Sequence, residues 1–251
     1  MSQKMEEKLS ASPPPEGVEE LIKIIQARDG FDISLRIHRP KSASDQLPLI
    51  VYYHLGGCCV GSSAIAIPFC RRLVQRFNAV CVNVDYRLAP EHPFPTPIGD
   101  CWDALQWVAS NAVELGANPT RGFVVGGESS GGNISREAQQ APELFGYGMT
   151  VMYRKSHAAD VYSPLFGAFN HPNGHAGLPP AYFQICGLDP VRDEGLLYEK
   201  VLREDYGIKI RLDVYPGLPH AFWQVFPAFE KATKAHEDML NGFAWLLNQN
   251  L

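Results

Sequence analysis

Short apolar runs alternate with segments of helical periodicity along most of the chain. Runs rich in Val, Ile, Leu, Phe and Tyr predict strands at 49–53, 79–84, 121–126, 181–186 and 208–215. Apolar residues that recur at helical spacing predict helices at 65–77, 98–112, 191–206 and 225–247. Strands that alternate with helices predict an α/β fold with a mostly parallel central sheet and helices on both faces.

Two further strands are predicted near the start of the chain. They occupy 19–28 and 32–38, and Asp29-Gly30 between them is a dipeptide typical of a β-hairpin. The chain has no internal repeat. Its 251 residues, 45% of them hydrophobic, predict a single α/β domain over 1–251 with a large core.

Composition argues against a nucleic-acid partner and against a membrane span. The formal net charge is −5, which gives no basic surface for nucleic acid. No stretch approaches the roughly 18 unbroken apolar residues that a membrane-spanning helix needs. The expected partner is therefore a small molecule, and a homodimer is left open.

We recognise no targeting signal at either end of the sequence. Residues 1–17 are polar and proline-rich and lack the apolar stretch of a secretory signal. The last three residues, Gln249-Asn250-Leu251, are not of the peroxisomal Ser-Lys-Leu type. We therefore expect a cytoplasmic protein, in which 1–17 forms a disordered lead or part of a lid.

The six cysteines have no metal-ligand spacing, and we expect neither a metal nor another cofactor. An intracellular chain keeps its thiols reduced, so disulfides are not expected either. Four cysteines lie in strand or helix patterns and are predicted to be small core residues. The other two, Cys58 and Cys59, are predicted to line the pocket for the small-molecule partner.

The candidate nucleophile is Ser129, in the sequence Gly127-Glu128-Ser129-Ser130-Gly131. The sequence follows an apolar strand pattern, and a helix is able to begin at Ser130. A strand, a sharp turn and a helix form the nucleophile elbow, which exposes a serine hydroxyl to a base. The pattern Gly-x-Ser-x-Gly is weak evidence alone, because glycine and serine are common in ordinary turns.

A candidate oxyanion hole follows the predicted strand at 49–53. The sequence there is His54-Leu55-Gly56-Gly57, and glycines allow the backbone to approach a substrate oxygen without a Cβ in the way. Gly56 and Gly57 are predicted to donate backbone N–H groups, together with Ser130, the residue after the nucleophile. The alternative is an ordinary glycine-containing loop.

Asp189 and His220 are the candidate acid and base. Each lies on a loop that follows a predicted strand, where parallel sheets collect their site residues. The chain order Ser129, Asp189, His220 is that of the α/β-hydrolase triad. The rivals are Asp193 for the acid, which the dipole of the following helix explains equally well, and His171 and His175 for the base, which a mobile loop is predicted to carry.

With these motifs in hand, the chain resembles the hormone-sensitive-lipase-like branch of the α/β-hydrolase fold, a group of serine carboxylesterases. The resemblance adds the sequence from Asp85 to Pro95, which contains Asp-Tyr-Arg-Leu-Ala-Pro, and Ser163-Pro164-Leu165. It is strongest to fungal members, some of which act in secondary-metabolite pathways. Leu55 departs from the pattern, because the branch usually has its first glycine there.

The interval between Ser129 and Asp189 is too short for the family pattern. It spans 60 residues, where relatives fit the elbow helix, a central strand, a cap and a further strand. Burying Arg136 and Glu137 of the predicted elbow helix without partners would cost several kcal/mol. We therefore expect a deletion that begins near Ile134, a reduced or degenerate cap over 134–161, and one replacement candidate for the lost strand, 147–153.

Three hypotheses follow for the function. The first is a serine carboxylesterase that hydrolyses a small lipophilic ester through an acyl-enzyme. The second is a non-catalytic binder on the same fold, as in the plant gibberellin receptors, where the triad histidine is usually lost. The third is an inactive remnant whose core no longer folds.

Overall fold

The computed structural model describes residues 3–42, 46–137, 160, 162–166 and 168–249. The chain divides into two compact units, Met1–Ala138 and Gln139–Leu251. This boundary falls within 134–161, the predicted cap region. The predicted replacement strand at 147–153 lies outside the described residues, and the single domain over 1–251 stays a prediction.

The first unit is built on a five-stranded sheet. Its strands are β1 (Val18–Gln26), β2 (Asp32–Pro40), β3 (Leu49–Tyr53), β4 (Val80–Asp85) and β5 (Phe123–Gly127). Their order in the sheet is β1-β2-β4-β3-β5. The pairs β1–β2 and β2–β4 are antiparallel, whereas β4–β3 and β3–β5 are parallel. The predicted hairpin is confirmed, since Gln26 pairs with Asp32 across its turn.

Four α-helices are described in this unit. They are α1 (Gln3–Ala11), α2 (Ile67–Phe77), α3 (Thr96–Ser110) and α4 (Ser130–Glu137). Neighbouring residues of β3 point to opposite faces of the sheet. The Tyr52 ring lies 5.4 Å from that of Phe69 on α2, whereas the Tyr53 hydroxyl donates to the Cys101 carbonyl on α3 at 3.0 Å. The sheet therefore has helices on both faces, as predicted.

The central strands form the core of this unit. All five residues of β3 are buried, and so are the first five of β4. Each fully buried aliphatic side chain contributes about 1.5–3 kcal/mol relative to an exposed one. This core fixes the carboxyl ends of β3 and β5, from which the predicted oxyanion loop (residues 54–60) and the predicted elbow extend.

Among its described residues, the second unit has two parallel strands, β6 (Ala181–Leu188) and β7 (Ile210–Pro219). The α-helices described there are α5 (Arg192–Glu204), α6 (Phe222–Val225) and α7 (Glu230–Leu246). The single helix predicted at 225–247 is wrong at its start, because the chain leaves helical geometry at Phe226 (φ −125°, ψ 61°), immediately before Pro227. Proline disfavours helical backbone in the residue before it.

The N-terminal segment also differs from one of its predicted alternatives. It contains α1, so the prediction of a disordered lead does not hold for Gln3–Ala11. The helix is attached to the rest of the unit, because the Ser62 hydroxyl donates to Glu6 and Arg71 donates to the Ser12 hydroxyl at 2.9 Å. Its role as a lid stays a prediction.

Over the ranges that the structure describes, no helix combines the length and the apolar character that crossing a membrane requires.

Candidate active site

The segment around Ser129 has the geometry of a nucleophile elbow. Strand β5 ends at Gly127, α4 begins at Ser130, and Ser129 between them has a φ of 55°. For a residue other than glycine, this left-handed conformation costs on the order of 1–3 kcal/mol, and such strain concentrates at functional sites. The predicted strand, turn and helix are therefore present, with the strain at the serine itself.

Close backbone contacts explain the glycines on either side of Ser129. A Cβ added to Gly127 would overlap the backbone of Gly131, and one added to Gly131 would overlap the carbonyl of Tyr53. The same added Cβ on Gly131 would lie 2.7 Å from the carbonyl oxygen of His54. The elbow thus packs directly against the end of β3, where the predicted oxyanion loop begins.

The predicted oxyanion loop is a tight turn that depends on its glycines. Gly56 and Gly57 have φ values of 136° and 62°, and Cys58 follows with 55°. The Gly56 carbonyl accepts backbone N–H groups from Cys59 and Val60, both at 3.1 Å. A Cβ on Gly56 would overlap the Val60 carbonyl, so this position requires glycine even though Leu55 replaces the preceding one.

His54, the first residue after β3, is held in place by contacts with Tyr86 and Leu55. Its ring stacks on Tyr86 with centroids 4.2 Å apart, and the Tyr86 hydroxyl donates to the His54 carbonyl at 2.8 Å. Its Nδ1 lies 2.7 Å from the Leu55 carbonyl. Burial lowers the pKa of His54, so the neutral ring is favoured at physiological pH. Sequence reasoning missed the role of Tyr86, although the residue lies within the quoted Asp85–Pro95 segment.

The rest of that segment is tied to α3 by an ion pair. Arg87 donates to both carboxylate oxygens of Asp100, at 2.9 and 2.7 Å, and its guanidinium lies 4.3 Å from the centre of the Phe31 ring. The hydrogen bond to Asp100 raises the pKa of Arg87. Further along, the Ala89 N–H donates to the Cys58 carbonyl at 2.8 Å. The anchored segment therefore buttresses the oxyanion loop.

In the second unit, Asp189 and His220 are hydrogen bonded. Asp189 follows β6, His220 follows β7, and parallel strands bring their carboxyl ends to one edge. Asp189 Oδ2 lies 2.6 Å from His220 Nδ1. The other carboxylate oxygen accepts the Val191 N–H at 3.0 Å, which orients the acid. A carboxylate at Nδ1 favours the tautomer with its proton there, which makes Nε2 the basic nitrogen.

The rival residues have other surroundings. Asp193 lies in the first turn of α5, exposed and paired with Arg192 at 2.7 Å. His171 Nδ1 accepts the Asn173 N–H at 3.3 Å within a local turn. The mobile-loop prediction is wrong for His175, which is 3% exposed, with its ring 5.2 Å from that of Tyr198.

Cys58 and Cys59, which follow the two glycines, have different surroundings. Cys58 is buried and belongs to the hydrophobic core of the first unit. Burial, together with the charge of Glu91, raises the pKa of Cys59, so its protonated form is favoured. Their role in lining the acyl pocket stays a prediction. Among the residues described here, no group of three or more His, Cys, Asp or Glu side chains is arranged to hold a metal ion.

Taken by position, the predicted site residues fall into two groups. Gly56, Gly57, Ser129 and Ser130 belong to the first unit, and Asp189 and His220 to the second. The assignment of all six residues to one site stays a prediction.

Comparison with known proteins places the chain among esterases. A model of the alpha/beta hydrolase fold matches residues 50–143 and 138–224. The chain is 38% identical to an AB hydrolase superfamily protein of Schizosaccharomyces pombe, over 94% of the chain and 82% of that protein. It is 35% identical to the carboxylesterase NlhH of Mycobacterium tuberculosis, over 88% of the chain and 82% of the enzyme.

A solved structure agrees with the sequence matches. The crystal structure of vibralactone cyclase superposes with a TM-score of 0.87 at 28% identity, covering 98% of this chain and 85% of that one.

The matches are interrupted at one place in the chain. The family model matches the chain in two separate segments, which overlap at residues 138–143. The alignment with the S. pombe protein runs over 279 positions, more than the 251 residues of this chain, although it uses only 94% of them. Aligning the two proteins therefore requires gaps in this chain. With its elbow, its oxyanion loop, its Asp–His pair and these relatives, the chain belongs to the α/β-hydrolase fold, in the carboxylesterase-like, hormone-sensitive-lipase-like branch.

Proposed function

We propose that this protein is a serine carboxylesterase that hydrolyses a small lipophilic carboxylic ester through an acyl-enzyme. In this proposal Ser129 is the nucleophile, His220 the base and Asp189 the acid. The backbone N–H groups of Gly56, Gly57 and Ser130 bind the oxyanion.

The hydrogen bond between Asp189 and His220 carries the proposal. A binder on this fold has no need of an oriented base, whereas a hydrolase depends on one. Asp189 at Nδ1 makes Nε2 the nitrogen that takes a proton. The retained and oriented histidine therefore favours an enzyme over a non-catalytic binder.

The proposed reaction has two acyl-transfer steps. His220 Nε2 removes the Ser129 hydroxyl proton while Oγ attacks the ester carbonyl, and the same proton passes to the leaving alcohol. Water then attacks the acyl-enzyme, His220 again acting first as base and then as acid, and the carboxylic acid leaves. The negative oxygen of each tetrahedral intermediate is bound in the oxyanion hole, where each donor contributes about 3 kcal/mol.

For the substrate we propose a lipophilic ester whose acyl group lies against Cys58 and Cys59. The resemblance to fungal members supports a place in secondary metabolism, and the S. pombe relative agrees with a fungal-type chain. We further propose that the chain lacks a central strand and most of the cap. The interrupted family match at 138–143 supports a deletion there.

A chain-length series of p-nitrophenyl esters tests the proposal. The full-length protein should hydrolyse short and medium acyl chains, and Ser129→Ala should reduce turnover to the background rate while its circular dichroism spectrum is unchanged. Folded protein without turnover would favour the binder. A chain that shows no cooperative thermal transition would favour the inactive remnant.

A further inference from the structure

A buried carboxyl group lies immediately before the candidate nucleophile. Glu128 is 8% exposed, and its Oε1 accepts a hydrogen bond from the Tyr52 hydroxyl at 2.8 Å. Burying a carboxyl group without a hydrogen-bond partner is unfavourable, and the hydrogen bond from Tyr52 reduces that desolvation free energy. An apolar residue at position 128 would not incur it. The pair therefore calls for an explanation beyond packing.

Strand register brings Tyr52 to the elbow. Tyr52 lies on β3, directly opposite Gly126 of the parallel strand β5, two residues before Glu128. Burial raises the pKa of Tyr52 well above its usual range, and the charge of Glu128 raises it further. The hydroxyl therefore keeps its proton and is the donor of this bond.

Glu128 is held through its backbone as well. Its carbonyl accepts the Gly131 N–H at 2.9 Å, and the next carbonyl, that of Ser129, accepts the Asn133 N–H at 3.2 Å. Ser129, with its φ of 55°, thus directly follows a residue that is fixed at both its main chain and its side chain.

We propose that Tyr52 and Glu128 are positioning residues for the nucleophile, and that their hydrogen bond holds Ser129 in its strained conformation. The inference rests on the proposed function of Ser129. Neither side chain takes part in the chemical steps. Without the bond, the backbone dihedral angles at Ser129 can relax toward less strained values. The Ser129 oxygen would then adopt several orientations, some of which cannot attack the substrate.

The loss of such positioning should appear in kcat rather than in KM. A misdirected nucleophile lowers the population of attack-ready complexes, whereas substrate binding is unaffected. Because Tyr52→Phe removes one buried hydrogen bond, it should lower kcat by up to about tenfold. KM should stay within about twofold.

Tyr53→Phe is the matched control. Tyr53 is the next residue on the same strand, is equally buried, and donates its hydroxyl to a backbone carbonyl on the opposite face of the sheet at 3.0 Å. The two variants lose the same group from neighbouring positions. Both variants should stay folded at the assay temperature, but only Tyr52→Phe should lower kcat.

Substitutions at Glu128 complete a double-mutant cycle with Tyr52→Phe. Glu128→Gln keeps an oxygen that can accept the Tyr52 hydroxyl and should retain most of the rate, whereas Glu128→Ala should reproduce the defect of Tyr52→Phe. Adding Tyr52→Phe to Glu128→Ala should then cause no further loss of kcat, because residues that act through one contact are not additive.

The experiment measures kcat and KM for a p-nitrophenyl ester, together with the rate at which a fluorophosphonate labels Ser129. Equal kcat values for Tyr52→Phe and Tyr53→Phe, or independent losses in the double variant, would overturn the positioning role while leaving the esterase intact. A wild-type protein that neither turns over the ester nor becomes labelled would overturn both the proposed function and this inference.

Discussion

Asp189 and His220 are joined by a 2.6 Å hydrogen bond between Oδ2 and Nδ1, and this contact orients the imidazole. A carboxylate at that position does two things in the proposed mechanism. It selects the tautomer in which Nε2 is basic, and it stabilises the imidazolium that forms when Ser129 gives up its proton. Both effects depend on an acceptor at Nδ1.

Asp189→Asn should therefore be a severe change with little effect on the fold. An amide at this position allows the ring to adopt the wrong tautomer, so we expect kcat to fall about 10⁴-fold. Asp193→Asn is the control, because that carboxylate is exposed and pairs only with the neighbouring arginine among the contacts described here. Steady-state kinetics on both variants makes the comparison. Equal rates would mean that Asp189 is not the acid.

The elbow glycines give a second prediction. Gly131→Ala would drive a Cβ into the Tyr53 carbonyl, so we expect loss of several kcal/mol of unfolding free energy and of all activity. Gly99→Ala meets no atom within 4 Å and lies inside α3, where alanine is favoured over glycine by about 1 kcal/mol. Urea unfolding should show opposite signs for the two variants. A stable, active Gly131→Ala protein would contradict the close packing of the elbow against β3.

Acid stability should depend on Glu20. Burial raises the pKa of this carboxyl, but hydrogen bonds from His38 and Arg71 outweigh burial and lower the pKa to about 2. A folded-state pKa below the unfolded value of 4.5 contributes stability above pH 4.5, and that contribution is lost as the pH falls toward 2. Discounted for solvent screening, the shift corresponds to on the order of 1–2 kcal/mol at neutral pH.

Glu20→Gln should therefore be destabilised at pH 7 and should approach the wild type as the pH falls toward 2. Glu114→Gln removes an exposed partner of Lys23 and should change little at any pH, since surface ion pairs contribute about 0–1 kcal/mol. Urea unfolding from pH 2 to 7 measures both. A constant difference between Glu20→Gln and the wild type across this range would contradict the lowered pKa.

Sequence patterns identified the elements that depend on local signals. The hairpin at Asp29-Gly30, the buried strand β3 and the start of α4 at Ser130 each follow from neighbouring residues. The proximity of Asp189 and His220 could also be predicted from the sequence, because both residues follow adjacent parallel strands.

Features that depend on contacts distant in sequence were missed. His175 lies among loop-forming residues, and only its aromatic neighbours, such as Tyr198, explain its burial. The Tyr52–Glu128 bond requires the register of β3 against β5, which no local pattern specifies. The hydrogen bond from Tyr86 to the His54 carbonyl was missed for the same reason, because it joins residues that are distant in sequence.

The proposed deletion leads to a prediction by insertion. An apolar helix and strand from an intact relative, placed after Asn133, should raise both the melting temperature and the esterase rate, because a restored strand buries more apolar surface. A length-matched Gly/Ser insert at the same position is the control and should improve neither. If the two inserts behave alike, the deletion hypothesis fails.

The most direct test of the central claim is to identify the residue that a fluorophosphonate modifies. Peptide mass spectrometry of the treated wild-type protein should find the adduct on Ser129, with none on Ser130, and Ser129→Ala and His220→Asn should each suppress it. An adduct on another serine, or labelling that persists in Ser129→Ala, would show that Ser129 lies in an ordinary turn and that this chain is not a serine esterase of the proposed kind.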